Sequence, residues 1–268
     1  MANNRVAYGL AKERGIDTSG MSPKEVWDAL NEKSISVNDK ARPYIDKNVD
    51  ELKKSLSRPI NNVNRDITVK KKDKFDFYGL MVYAPATIYQ TNDGIQFAFK
   101  ENNKTDRQKV TYRQAVNCFY RVIAPIRKFS QKQICFVDYK NPEEEFWFQQ
   151  YNVRGENFSN GDDKQITIFE NNGFSDDDLT DIFAHEIGHR IDIIKGNGKE
   201  KLSLSENYRR AILLDFKELG VNAPTRYGQI NQEEDFAESI MLFNTRKSWM
   251  EKCFPNRTKL IREILEVK

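Results

Sequence analysis

The stretch that most restricts the fold of this chain is SDDDLTDIFAHEIGHRIDIIKGNG, residues 175–198. Ser175 ahead of three aspartates is an N-cap signal, with negative charge placed where the helix dipole favours it. Glycine at 196 and again at 198 ends the pattern. One helix of about twenty residues is predicted, and it carries both histidines of the 268-residue chain, His185 and His189. Residues four apart lie on one helical face, so the two imidazoles can be presented to a single point beside the helix.

The segments around that helix place it in an α+β fold. FDFYGLMVYAPATIYQ, from residue 75, is rich in aromatic and β-favouring residues, and TNDG at 91–94 is a turn signal before IQFAFK, so a β-hairpin is predicted. A helix is expected over 108–124, with Pro125 just past its end. QICFVDY (133–139) and QITIFE (165–170) read as short strands, and NVRGENFSNGDD (152–163) as a loop. After 175 the chain is helical: the histidine helix, a second over about 205–219 ending at Gly220, a third from Asn231, and a fourth after Pro255. Strands followed by helices indicate one α+β domain over 75–268. Residues 1–33 read as a small helical unit, since Ser22-Pro23-Lys24-Glu25 is a capping box with proline at the first helical position. The polar stretch 34–74, with its KKKDK run at 70–74, reads as a charged linker or arm.

Composition removes several classes. Seventeen Phe and eleven Tyr argue against wholesale disorder. A net charge of +3 does not mark a nucleic-acid binder, and no nucleic-acid partner is expected. Three scattered cysteines without a CxxC pair supply neither a disulfide framework nor an all-cysteine zinc site. No window approaches the roughly 18 apolar residues of a membrane span. MANNRVAYGLAKERG lacks the apolar core of a classical signal peptide. A cytoplasmic or virion-associated location is expected, with delivery to a target cell by a non-classical route as a variant of it.

His185-Glu186-Ile187-Gly188-His189 is an HExxH arrangement. Zinc binds imidazole nitrogens at about 2.0–2.1 Å in tetrahedral geometry, which two side chains on one helical face can satisfy. Glu186 is offset from the metal yet near enough to take a proton from a water there, whose pKa zinc lowers to about 7. The two histidines leave a third protein ligand to find, and with no other histidine it must be a carboxylate or a cysteine. TRYGQINQEEDFAESI, residues 225–240, supplies carboxylates on a helix. Glu234 and Glu238 are four apart, so one can bind metal while the other orients a neighbouring ligand. Spacing does not choose between them. Glu233 and Asp235 point elsewhere and read as solvated or salt-bridged.

HEIGHRID, then LLDFKELG, then YGQINQEEDFAES resembles the catalytic domain of the anthrax lethal factor and Pro-Pro endopeptidase family of zinc peptidases, of the gluzincin type. The likeness covers roughly residues 165–265. It implies a zincin-like domain with a small mixed sheet, an active-site helix and a helical C-terminal part, binding one Zn2+ per chain. It makes Glu234 the third metal ligand, Glu238 a residue behind the ligands, and Tyr227 the phenol that stabilises an oxyanion; Asp192 also matches. Asp235 stands where the family tends to be aromatic, and Gln229 and Ile230 depart from it as well. RVAYGLAKERGIDTSGMSPKEVWDAL is similar to segments of bacteriophage minor head proteins. The expected function is zinc-dependent hydrolysis of a protein or peptide substrate, with Glu186 as general base and Tyr227 as oxyanion stabiliser. The substrate would lie along an edge strand at Ile166, Thr167 and Ile168, and residues 1–33 would dock on a phage particle or carrier. The alternatives are a virion-associated structural protein that retains a zinc site, and a cytoplasmic protease that cleaves a repressor.

Overall fold

The computed structural model describes residues 8, 11, 16–22, 24–26, 29, 67–77, 82–101, 110–137, 155–158, 165–169, 174–196, 200–225 and 227–267. The chain divides into two compact units, residues 58–190 and residues 1–57 with 191–268. The architecture is mixed α+β, as expected. The candidate linker over 34–66 and most of the 1–33 helical unit lie outside the described residues. The capping box at its centre is described: the Ser22 amide donates to Glu25 Oε2 at 2.6 Å, and residues 24–26 are helical.

The first unit is built on a six-stranded sheet: β1 (Ile67–Phe77), β2 (Val82–Thr91), β3 (Gln96–Lys100), β4 (Gln133–Val137), β5 (Gly155–Phe158) and β6 (Gln165–Phe169). Their order is β1-β2-β3-β4-β6-β5. The β1–β2, β2–β3 and β5–β6 pairs are antiparallel, and β3–β4 and β4–β6 are parallel. TNDG makes the expected hairpin turn, with Gly94 at φ +82, the left-handed region glycine tolerates. One sheet face carries Phe97, Phe99, Ile134, Phe136, Ile166 and Ile168, as the register requires. Helix α1 (Tyr112–Arg121) reaches that face through the edge-on contact of Phe97 with Phe119, and α2 (Ala124–Arg127) follows with Pro125 in its first turn. The opposite face holds a second core of Phe75, Phe77, Ala84, Ala86, Ile88, Ala98, Cys135 and Val137.

Two sequence expectations change here. KKKDK is not linker: β1 runs through it and across the 74/75 boundary, paired with β2 from Ile67↔Thr91 to Phe77↔Val82. Its lysines are exposed while Phe75 and Phe77 are buried, a charged edge strand of the kind that resists pairing with other chains. Part of the predicted 152–163 loop is a strand, because β5 gains its ladder from β6, with Gly155 opposite Ile168 and Phe158 opposite Gln165. Glycine and asparagine content reports nothing of such long-range pairing.

The C-terminal unit is helical. The histidine helix, α3 (Asp176–Lys195), leads into it and is followed by α4 (Glu206–Leu219), α5 (Gln232–Thr245), α6 (Lys247–Cys253) and α7 (Pro255–Leu265). The Ser205 hydroxyl caps α4, and Gly220 ends it at φ 72; Asn231 caps α5. Helix α6 has no strong stop signal ahead of it and was not predicted. Helix α4 packs on α7, and α5 on both α6 and α7. No helix among the described residues is long and apolar enough to cross a membrane.

Candidate metal centre

Helix α3 is held at its start and along one side. Ser175 Oγ accepts the Asp178 amide at 3.1 Å, and Arg121 reaches Asp176 at 3.2 Å. Leu179, Phe183, Ala184, Ile187 and Ile191 form its fully buried stripe. Phe183 meets Phe119 and Phe136 edge-on, with ring centroids 5.6 and 6.4 Å apart. These contacts leave the two histidines half-buried and Glu186 only 4% exposed.

His185 Nε2 and His189 Nε2 are 3.1 Å apart. Two nitrogens bound to one tetrahedral zinc at 2.0–2.1 Å would be separated by roughly 3.3 Å. The observed separation, with the rings at 84° to one another, is close to that value. Glu234 completes the group: one ligand atom from each of His185, His189 and Glu234 lies within 4.8 Å of the others. Two imidazoles and a carboxylate are the donor set of many open zinc sites, and the three residues can hold a metal ion.

Of the two carboxylates that spacing left open, Glu234 is the one grouped with the histidines. Glu234 stands in the first turn of α5, where Asn231 Oδ1 accepts its amide at 2.8 Å. Glu238, one turn on and buried, accepts from the Thr225 hydroxyl at 2.5 Å. Thr225 Oγ1 also accepts the Gly228 amide at 3.0 Å. This threonine ties the short 3-10 turn Tyr227–Gln229 to α5, and sequence reasoning passed over it. A hydroxyl three residues before the turn amide was the available signal. Tyr227 is half-buried at the head of that turn. The turn lies so close to α5 that a Cβ added at Gly228 would stand 3.3 Å from Asp235 Cα.

Asp192, one turn past His189, is 1% exposed. Its two oxygens accept the Ser203 amide and hydroxyl at 2.6 and 2.7 Å, so it anchors the turn Leu202–Leu204 to α3. Lys201 pairs with Glu233 at 2.6 Å, in keeping with the salt bridge expected there. Asp235 is salt-bridged as well, in a buried setting: it is 4% exposed and ion-paired to the fully buried Arg257. Burial acts against the Arg257 charge, but Asp235, Tyr208 and Asp215 hold its pKa above the ordinary value.

The predicted substrate strand is displaced. Ile166, Thr167 and Ile168 are all fully buried, and β6 lies between β4 and β5 in the sheet. Its two backbone edges are spent on those neighbours, so no peptide can pair with it. The edge position belongs to β5.

No family model matches the chain, and no curated protein matches it, so the resemblance drawn above rests on its motifs alone.

Proposed function

We propose that this chain is a zinc-dependent endopeptidase of zincin-like architecture, with His185, His189 and Glu234 as the ligands of one zinc ion. The observation that carries the reading is the convergence of those three donors around a helix that also holds the buried Glu186. A bound zinc would supply Lewis-acid polarisation of the scissile carbonyl and a water acidic enough to deprotonate near neutrality. Glu186 would serve as the general base for the attacking water and would later deliver the proton to the leaving amine. Tyr227 donates its phenol hydrogen to the charge that develops on the carbonyl oxygen. Thr225 and Glu238 hold the tyrosine turn on α5. A protein or peptide substrate binds extended, adding its backbone beside β5. Residues 1–33 would carry the peptidase to a phage particle or other carrier, a role that rests on their likeness to minor head proteins.

The test is metal content together with peptide-library cleavage. Wild type should hold one zinc per chain and cleave, Glu186→Ala should keep the zinc and lose cleavage, and Glu234→Ala should lose the zinc. Purified protein without stoichiometric zinc, or zinc content indifferent to Glu234→Ala, would overturn the assignment.

A further inference from the structure

The C-terminal unit contains a buried ionic cluster that neither the metal chemistry nor the substrate uses directly. Arg257, in the first turn of α7, has a side chain with no exposed surface. Its Nε and Nη2 reach Asp235 Oδ1 and Oδ2 at 3.0 and 3.1 Å, two parallel bonds of a fork on a carboxylate. Its Nη1 reaches Asp215 Oδ2 at 3.1 Å, and Nη2 also donates to the Asn222 carbonyl. Asp215, from α4, accepts the backbone amides of Asn256 and Arg257 at 2.8 and 3.1 Å. It thereby caps α7, whose own N-cap residue Phe254 supplies no side-chain bond. Tyr208, also from α4, donates to Asp235 Oδ1 at 2.5 Å and is bonded to Ser239 at 3.3 Å.

We propose that this cluster is a positioning device for Glu234: Arg257 and Tyr208 grip Asp235, the next residue along α5, and so set the rotation of the helix that presents the metal-binding carboxylate. The inference rests on the zinc reading above. Its physical basis is the difference between holding a helix and orienting it. Apolar packing keeps α5 in place through Phe236, Ile240 and Phe243, but such contacts tolerate small rotations about the helix axis. Side-chain ends lie roughly 5–6 Å from that axis, so a rotation of about 10° moves a carboxylate by about 1 Å. Metal–ligand distances tolerate only about 0.2 Å. A bidentate ion pair on Asp235, with the Asn231 carbonyl accepting the Asp235 amide at 2.9 Å, removes that freedom at the residue beside the ligand. A buried ion cluster adds little net stability over an apolar cluster of equal volume, so stability alone does not account for it.

The experiment uses the full chain and three variants. Arg257→Lys keeps the charge and loses the planar fork, and Tyr208→Phe deletes one hydroxyl. Ile261→Val, in the fully buried core of α7 one turn past Arg257, is a destabilising control that alters no polar group of the cluster. For each, the Zn2+ dissociation constant is measured by chelator competition, the visible spectrum by Co2+ loading, and the metal-free unfolding midpoint in urea. Arg257→Lys should weaken zinc binding by about tenfold to a hundredfold, the scale seen when groups behind metal ligands are changed, and should lower the intensity of the tetrahedral Co2+ bands. Tyr208→Phe should weaken zinc binding severalfold, and Ile261→Val should leave both metal readouts at wild type while lowering the midpoint. If Arg257→Lys does not fold, Tyr208→Phe against Ile261→Val decides. Wild-type affinity and Co2+ spectrum in Tyr208→Phe, or an equal loss in Ile261→Val, would overturn the positioning role and leave the zinc reading standing. Failure of the wild type to take up Zn2+ or Co2+ would overturn both.

Discussion

Replacing Asp192 separates an anchoring role from a metal-related one. The carboxylate is 1% exposed, and the Ser203 it binds is fully buried. Asp192→Ala removes two charge-assisted hydrogen bonds, at 2.6 and 2.7 Å. It also strands a buried amide and a buried hydroxyl. Bonds to charged groups contribute about 1.5–3 kcal/mol each, and an orphaned donor costs about 1–3 kcal/mol. These figures overlap, since part of each lost bond is the stranded donor, so the expected loss is about 3–5 kcal/mol. Asp192→Asn keeps the shape: its carbonyl oxygen still accepts the Ser203 amide, and its NH2 donates to the hydroxyl oxygen. The cost falls to about 1–1.5 kcal/mol, because a neutral bond has about half the strength of a charged one. With a urea slope of about 3 kcal/mol/M, a 4 kcal/mol loss moves the unfolding midpoint by about 1.3 M, and the Asn variant by about 0.4 M. The assay is urea unfolding followed by circular dichroism in excess chelator, so that no metal contributes. A midpoint for Asp192→Ala within 0.3 M of wild type (a threshold of about 1 kcal/mol at that slope), or an Asn variant as unstable as the Ala variant, would refute the anchor.

Other perturbations probe the sheet, the tyrosine turn and the ionic cluster. Thr167 Oγ1 is buried with no hydrogen-bond partner among the described residues, so Thr167→Val should raise stability by about 1 kcal/mol and leave the KM for peptides unchanged. A raised KM would return the substrate to β6. Gly228→Ala places a methyl 3.3 Å from Asp235 Cα and must shift the Tyr227 turn by a few tenths of an ångström. Misplacement of that kind should lower kcat severalfold with zinc content intact; an unchanged kcat would remove Tyr227 from the reaction. Burial, reinforced by the neighbouring Asp235, holds the Tyr208 phenol well above its ordinary range. A raised folded-state pKa means that its contribution is fully present below the unfolded value of about 10 and is lost as pH rises beyond it. Wild type should therefore lose stability above about pH 10 more steeply than Tyr208→Phe, and parallel pH profiles would refute that.

What the sequence determined by itself was local. Ser175, Ser205 and Asn231 start α3, α4 and α5, and Gly220 stops α4, because capping joins residues within one turn of each other. The shared face of His185 and His189 follows from the same short range, since i and i+4 are neighbours on any α-helix. The hairpin at TNDG was legible for the same reason. Tertiary structure decided everything that joins distant segments. It turned the lysine run into β1, made part of a glycine-rich loop into β5, and thereby buried Ile166, Thr167 and Ile168 inside the sheet. It brought Glu234 to the histidines and gave Glu238 to Thr225. It joined Arg257 to partners 22 and 42 residues away in sequence. Local signals carry the backbone's preferences over about one helical turn, whereas a strand's neighbour or a buried charge's partner exists only once the chain has closed on itself, and no spacing rule contains that.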